Sequence, residues 1–312
     1  MTSSEPRRLR FGVQLQAQRV SWQAFSDALA MVEELGFDDV WNFDHLLPFC
    51  GPAAGDAFET LTTLGAMAAM TRRVRFGILV AGVMYRDPAT LAKAIATVDH
   101  ISGGRVIASL GAAWAEREFR TYGLYFPPFK ERLERAEETL EILTRLWQEP
   151  EVSFDGRYYH LDHAPCDPKP LQRPYPPILV GGAGKGSLRL AARYANIWNV
   201  VGTPERCQEG KRYLEEACAK AGRPFDITIS AHPQLAVAES REAADRLAAQ
   251  ITESLGQGLD DTQVWVKGNP DQVAEQLSKY VEAGVTHWVL AVTPAHAAQL
   301  ELFAREVLPR FS

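Results

Sequence analysis

The sequence predicts an α/β protein, a (β/α)8 TIM barrel with an insertion after its fourth helix. Short β-type runs alternate with helix-length amphipathic segments, eight strand candidates are each followed by a helix, and no linker of disordered composition interrupts the series. The chain of 312 residues, 46% of them hydrophobic, is long enough for one such barrel of roughly 250 residues plus insertions. Residues 1–312 are therefore expected to form a single domain, with the insertion at about 151–177. A doubly wound open sheet is the second candidate.

The first strand is read at Leu9 to Leu15. The following helix opens near Ser21-Trp22 and ends at Leu35-Gly36, where glycine can take the left-handed conformation that closes a helix. Asp39 to Phe43 is the second strand and Glu59 to Met70 its helix. Val74 to Val80 is the third strand. Its helix starts at Pro88, a residue suited to a first turn, runs through Leu91, Ala94, Ile95 and Val98, and stops before Gly103-Gly104. Arg105 to Leu110 is the fourth strand. Lys130 to Trp147 is the fourth helix, periodic in Leu133, Ala136, Leu140, Leu143 and Leu146.

The texture then changes. Val152 to Leu161 reads as a hairpin around Asp155-Gly156, followed by a proline-rich run from Pro165 to Pro177. Alternation resumes with Ile178 to Val180, a helix from about Ser187, Ile197 to Val200, a helix from Glu205, Asp226 to Ala236, a helix from Arg241, Val285 to Val292, and a last helix over Pro294 to Leu308.

The net charge is −6, from 33 basic and 39 acidic residues spread along the chain. That distribution offers no basic surface to nucleic acid or an anionic membrane. No apolar run reaches the length of a membrane span, and Met1 to Arg8 lacks the apolar core of an export signal, so a cytoplasmic protein is expected. The four cysteines, Cys50, Cys166, Cys207 and Cys218, have neither zinc-site nor redox spacing, which suits reduced thiols.

Asp44-His45 stands where the apolar run Val40 to Phe43 stops. Catalytic groups of α/β proteins collect at strand ends, although Asp44 as a turn cap with His45 satisfied against it is an equal alternative. In a barrel this pair shares one mouth with Ala81 to Val83, Gly111-Ala112-Ala113-Trp114, Gly181-Gly182-Ala183-Gly184 and Asn199. Small residues there leave backbone open to a flat or phosphorylated ligand; ordinary tight turns are the plainer account.

Two motifs need weighing. Gly181 to Ser187 follows a strand and opens a helix, but Gly186 separates Lys185 from Ser187, so the nucleotide-hydrolase phosphate loop is not met, nor is the dinucleotide fingerprint. Open N–H groups at that helix start still favour an anion. His160, Asp162, His163 and Cys166 crowd potential metal ligands onto the hairpin with no second cluster to close a site, so no metal is expected.

Several segments together, Val74 to Val80, Tyr85-Arg86-Asp87-Pro88 through Lys93, Asp99-His100-Ile101-Ser102-Gly103-Gly104-Arg105, and Gly111 to Trp114, resemble the bacterial luciferase-like flavin and deazaflavin oxidoreductases. Asp44-His45, Pro168-Lys169-Pro170-Leu171-Gln172 and Gly181-Gly182 extend the likeness over nearly the whole chain. The branch that uses the deazaflavin coenzyme F420 is the most similar.

The resemblance implies the same barrel and insertion, and a bulge with a non-prolyl cis peptide at Leu79-Val80 that backs the coenzyme's middle ring. It implies hydride transfer between deazaflavin C5 and a small organic alcohol, carbonyl or activated alkene, with His45 as proton donor or acceptor and Asp44 beside it. Gly111, Ala112 and Ala113 would let the coenzyme side chain pass. Gly181, Gly182, Ala183, Gly184 and Ser187 would hold its phosphate. Phe49, Trp114, Trp198 and Asn199 would wall the substrate pocket. Phe49 stands where the sugar-phosphate dehydrogenases of this family carry a tryptophan, and Trp114 where they carry an acid, which argues against glucose 6-phosphate. A monooxygenase using flavin mononucleotide (FMN) on the same barrel is the alternative enzyme, and a non-catalytic barrel binding a phosphorylated ligand is the alternative of another class. Apolar outer helix faces suit a homodimer.

Overall fold

Strand β1 (Arg10–Leu15) closes the molecule on itself: it pairs in parallel with the last strand, β12 (His287–Val292), from Arg10 against His287 to Leu15 against Val292. This contact excludes the open sheet. The structure is a computed structural model, and it describes residues 8–256 and 264–311. The segment 1–7, on which the expectation of no export signal partly rests, lies outside the described residues.

Between these strands run α1 (Trp22–Glu34), β2 (Asp39–Asn42), α2 (Thr60–Met70), β3 (Arg75–Ile78), α3 (Pro88–Ser102), β4 (Val106–Leu110), a short α4 (Glu116–Thr121) and the long α5 (Phe129–Gln148). The hairpin β5 (Val152–Asp155) and β6 (His160–Ala164) follows, then β7 (Ile178–Gly181), α6 (Lys185–Tyr194), β8 (Ile197–Val200), α7 (Pro204–Lys220), β9 (Thr228–Ala231), β10 (Gln234–Val237), α8 (Arg241–Ser254), β11 (Trp265–Gly268) and α9 (Pro270–Glu282). After β12 come a 3-10 turn at Pro294–His296, α10 (Gln299–Glu306) and a second 3-10 turn at Leu308–Phe311. The ring of parallel strands is β1-β2-β3-β4-β7-β8-β9-β12 and back to β1. This is the (β/α)8 TIM barrel, with the hairpin inserted after α5.

Local chemistry explains the element ends. Ser21 caps α1 through Ala24 N–H, Asp87 caps α3 ahead of Pro88, and α3 closes on Gly103 with φ +67°. The hairpin turn is tied to α5 by Glu138, whose carboxylate accepts the N–H groups of Arg157, Tyr158 and Tyr159.

The structure departs from the sequence expectation in five places, the first being the short α4 between β4 and α5, where no helix is expected from the sequence. The third strand ends at Ile78, and Leu79-Val80 forms the bulge beyond it. The run Asp226 to Ala236 is two short strands, β9 and β10, broken at His232-Pro233 because proline has no N–H to give the ladder. A strand and helix, β11 and α9, lie between α8 and β12 where the sequence reading placed nothing. The single last helix is instead α10 flanked by two 3-10 turns.

The barrel interior is layered. Trp41, Leu79, Ile107, Leu179, Ile197 and Val289 form a compact apolar cluster inside the ring. Above it, at the carboxyl ends of the strands, the filling turns polar: Gln14, Ser109, Asn199 and Ser230 are all buried there. A barrel whose lumen changes from hydrocarbon to hydrogen-bonding groups toward one end presents its chemistry at that end.

Candidate active site

His45, in the loop after β2, is pinned from one side by an acid that no strand-end motif announces. Its Nδ1 lies 2.5 Å from Oε1 of Glu118, a buried residue of α4. The other carboxylate oxygen, Oε2, accepts the Leu46 N–H at 2.8 Å and the Tyr85 hydroxyl at 2.8 Å. Burial works against ionising Glu118, but the hydrogen bond and charge of His45, then the Leu46 and Tyr85 bonds, outweigh it and hold the carboxyl below its ordinary range. Tyr85 is pushed the other way, by burial and by the charge of Glu118, and stays a hydroxyl donor. An ionised carboxylate only accepts, so Nδ1 of His45 carries the proton of this bond and Nε2 is left for other work.

Around that imidazole stand three aromatic rings. The centroids of Phe43, Phe49 and Trp114 lie 5.3, 5.4 and 5.4 Å from that of His45, with the Trp114 and His45 planes at 76°. Trp114 is 64% exposed and forms the open rim. Phe126 packs on Phe119 and under the Arg132 guanidinium.

Asp44 is fixed with equal care. Its Oδ2 accepts Gly82 N–H at 2.8 Å and Arg86 Nη1 at 2.7 Å, and Arg86 reaches on to Glu59 at 2.9 Å. Glu59 also caps α2; despite partial burial, those backbone bonds and Arg86 lower its pKa to about 2. Oδ1 of Asp44 is buried with no partner among the described residues. A buried carboxylate oxygen without a donor is costly, so a bound molecule offering an N–H or O–H fits there.

The peptide bond between Leu79 and Val80 is cis, at the position the resemblance implies. The Leu79 carbonyl accepts Gln14 Nε2 across the lumen at 3.2 Å, and Ser109 bonds the Ile78 carbonyl and the Ala81 N–H. The Val80 side chain wedges between the neighbouring strand ends. A Cβ at Gly111 would sit 2.5 Å from Val80 Cγ2, and one at Gly181 2.9 Å from Cγ1. These two glycines therefore make room for Val80. Ala112 gives its carbonyl to Arg132 Nε at 3.0 Å, and Ala113 takes a left-handed φ of 56°.

Gly182, with φ +117°, lies so close to Ser187 that a Cβ would meet its Oγ at 2.7 Å. Gly184 caps α6 with no side-chain hydrogen bond, so the first-turn N–H groups, Ser187 among them, have no capping side chain. Ala183 and Lys185 complete this turn. Asn199 faces the lumen and donates to Ser230 Oγ at 2.8 Å.

Trp198 does not wall the pocket. It is completely buried on the outer side of β8, its ring lies against Gly210 of α7, and Nε1 donates to the Gly182 carbonyl at 2.8 Å. Side chains alternate along a strand, so with Ile197 and Asn199 inside, Trp198 must point to the helices. It steadies the glycine loop from behind.

Among the described residues, no group of three or more His, Cys, Asp or Glu side chains is placed to hold a metal ion, and no helix is long and apolar enough to cross a membrane. The hairpin histidines pair locally instead, His160 with Asp155 and His163 with Glu151. The four buried cysteines form no disulfide.

The model of the luciferase-like monooxygenase family matches residues 8–263. The chain belongs to the luciferase-like monooxygenase family. It is an enzyme, and the family alternatives divide its relatives. An F420-dependent glucose-6-phosphate dehydrogenase of Microbacterium testaceum (strain StLB037) is 30% identical over 97% of both chains. An FMNH(2)-dependent dimethylsulfone monooxygenase of Pseudomonas putida is 27% identical over 94% of this chain and 89% of its own. Among solved structures, an F420-dependent secondary alcohol dehydrogenase in complex with an F420-acetone adduct superposes with a TM-score of 0.84 at 20% identity, over 98% of this chain and 99% of that one. As a luciferase-like oxidoreductase the chain is no inert barrel, so the expectation of a non-catalytic binding protein is set aside.

Glu118, Tyr85, Arg86, Gln14 and His232 were not identified as site residues from sequence. Tyr85 and Arg86 belong to the Tyr85-Arg86-Asp87-Pro88 segment, whose family resemblance by itself points to no role for either side chain. Glu118 has no local signal beyond being an acid shortly after the strand end at Gly111-Ala112-Ala113.

Proposed function

We propose that this luciferase-like protein is an F420-dependent oxidoreductase that moves a hydride between deazaflavin C5 and a small organic alcohol, carbonyl or activated alkene. The observation that carries the reading is His45, held through Nδ1 by buried Glu118, with Nε2 left for exchange among Phe43, Phe49 and Trp114. The F420-dependent relative and structural neighbour favour this coenzyme over FMN.

Leu79-Val80 would back the coenzyme ring, Asp44 Oδ1 would accept a donor from it or from substrate, and the first turn of α6 with Ser187 would take its phosphate. Bound F420 supplies a two-electron hydride acceptor or donor at C5. In alcohol oxidation His45 Nε2 would accept the hydroxyl proton, and in carbonyl reduction it would return one to the oxygen, while the bound coenzyme would take up or supply the hydride. Glu118 faces the imidazolium that forms and compensates its charge without itself taking the proton. The aromatic rim favours a less polar substrate than a sugar phosphate.

Titration of the purified protein with oxidised F420 and, separately, with FMN, followed by the fluorescence of each, tests the reading. Tight binding of F420 alone is the expected result and leads to a turnover screen of alcohols and enones. Preference for FMN would overturn it in favour of oxygen chemistry.

A further inference from the structure

A second histidine stands at the mouth with its tautomer dictated by three groups in series. The Leu79 carbonyl can only accept, so the Gln14 side chain must turn its amide nitrogen toward it, at 3.2 Å. The Gln14 oxygen then faces the other way, 3.1 Å from Nε2 of His232, and can only accept from it. His232 must therefore carry its proton on Nε2 and leave Nδ1 bare. It is not a core residue: it is half-buried, follows β9 at the carboxyl end, and shares the polar upper layer of the lumen with Ser230 and Asn199. Among the described residues nothing bonds its Nδ1. Removal from bulk water lowers its pKa to about 4, so the imidazole is neutral at physiological pH.

We propose that His232 is a binding residue of this mouth, whose bare Nδ1 accepts a hydrogen bond from an N–H or O–H of the molecule lying over Leu79-Val80. The donor belongs either to the coenzyme or to a hydroxylated substrate. Gln14 is the positioning residue that makes the imidazole an acceptor, tying its state to the carbonyl at the bulge. The inference rests on the proposed function only in placing a ligand at this mouth; the tautomer follows from the protein alone.

Nitrogen-15 spectra of histidine-labelled protein read it directly. The ligand-free protein should show His232, assigned by its loss in His232→Phe, as the neutral Nε2–H form, and Gln14→Leu should release that tautomer. A Nδ1–H form in the intact protein would overturn the proposal. On adding oxidised F420, and FMN in parallel, an upfield move of the Nδ1 resonance assigns the donor to the coenzyme; a move that waits for 2-propanol assigns it to substrate. An unmoved Nδ1 in a protein that fluorescence shows to be loaded would overturn the binding role. Failure of both coenzymes to bind would instead sink the functional reading while leaving the tautomer result standing. In loaded protein, His232→Phe should weaken the assigned ligand about five- to ten-fold, the scale of one hydrogen bond.

Discussion

His45 and Glu118 stand 2.5 Å apart, joining the loop after β2 to the short helix after β4. Glu118 receives three donors, from His45, Leu46 and Tyr85, so a glutamine of the same shape would have to turn an NH2 group toward one of them. Glu118→Gln should lower kcat by about 10²-fold or more, the range that a general base contributes, while coenzyme affinity changes little. Steady-state kinetics beside a fluorescence titration would show it. Turnover at the wild-type rate would remove Glu118 from the orienting role. Tyr85→Phe deletes one of the three donors and should give a smaller loss.

Val80 occupies space that Gly111 leaves free. A methyl group at 111 would approach Val80 Cγ2 to 2.5 Å, so Gly111→Ala should destabilise the fold by about 1–3 kcal/mol, as overpacking does. Val80→Ala combined with Gly111→Ala should recover part of that loss. Urea unfolding of the four proteins in a double-mutant cycle measures the coupling, and simple additivity would argue against the wedge.

Trp198 faces α7 and should therefore matter for stability and not for substrate. Trp198→Phe removes the bond to the Gly182 carbonyl and some packing against Gly210, at a cost of about 1–3 kcal/mol. KM for an alcohol substrate should stay near the wild-type value. A large rise in KM with an unchanged Tm would restore it to the pocket wall.

The contrast between Trp198 and Asn199 shows what was legible in the sequence. The barrel was, because eight β-type runs and their helices obey local rules of period, cap and turn. Even α9 carried clear signals that went unread: Asn269 and Gln272 form a capping box around Pro270, and Val273, Ala274, Leu277 and Tyr280 make its buried face. Which face of a four-residue strand points inward is a property of the closed ring, so the sequence could place both residues at a strand end without separating them. Glu118 meets His45 across 73 positions, and Gln14 meets His232 across 218. Such pairs come from barrel closure and leave no local pattern.

At the opposite end of the barrel, Asp39 is completely buried beneath the apolar layer. His287 Nε2 lies 3.0 Å from Oδ1, and Arg10 reaches Oδ2 at 2.8 Å. Trp41 Nε1 adds a third bond at 2.5 Å. Burial raises the pKa of this carboxyl, but the charge and hydrogen bond of His287, then Arg10 and Trp41, outweigh it and the pKa is lowered. The folded protein therefore binds this proton less readily than the unfolded chain. The resulting stability is fully present above the ordinary aspartate range near pH 4 and is lost as pH falls through the lower folded value. Asp39→Ala should cost about 3–5 kcal/mol at neutral pH, because Arg10 and His287 lose a buried partner. Asp39→Asn keeps the shape and should flatten the fall of stability below about pH 4. Urea unfolding from pH 7 to pH 3 compares the slopes, and an identical acid dependence in wild type and Asp39→Asn would show that other carboxylates govern acid unfolding.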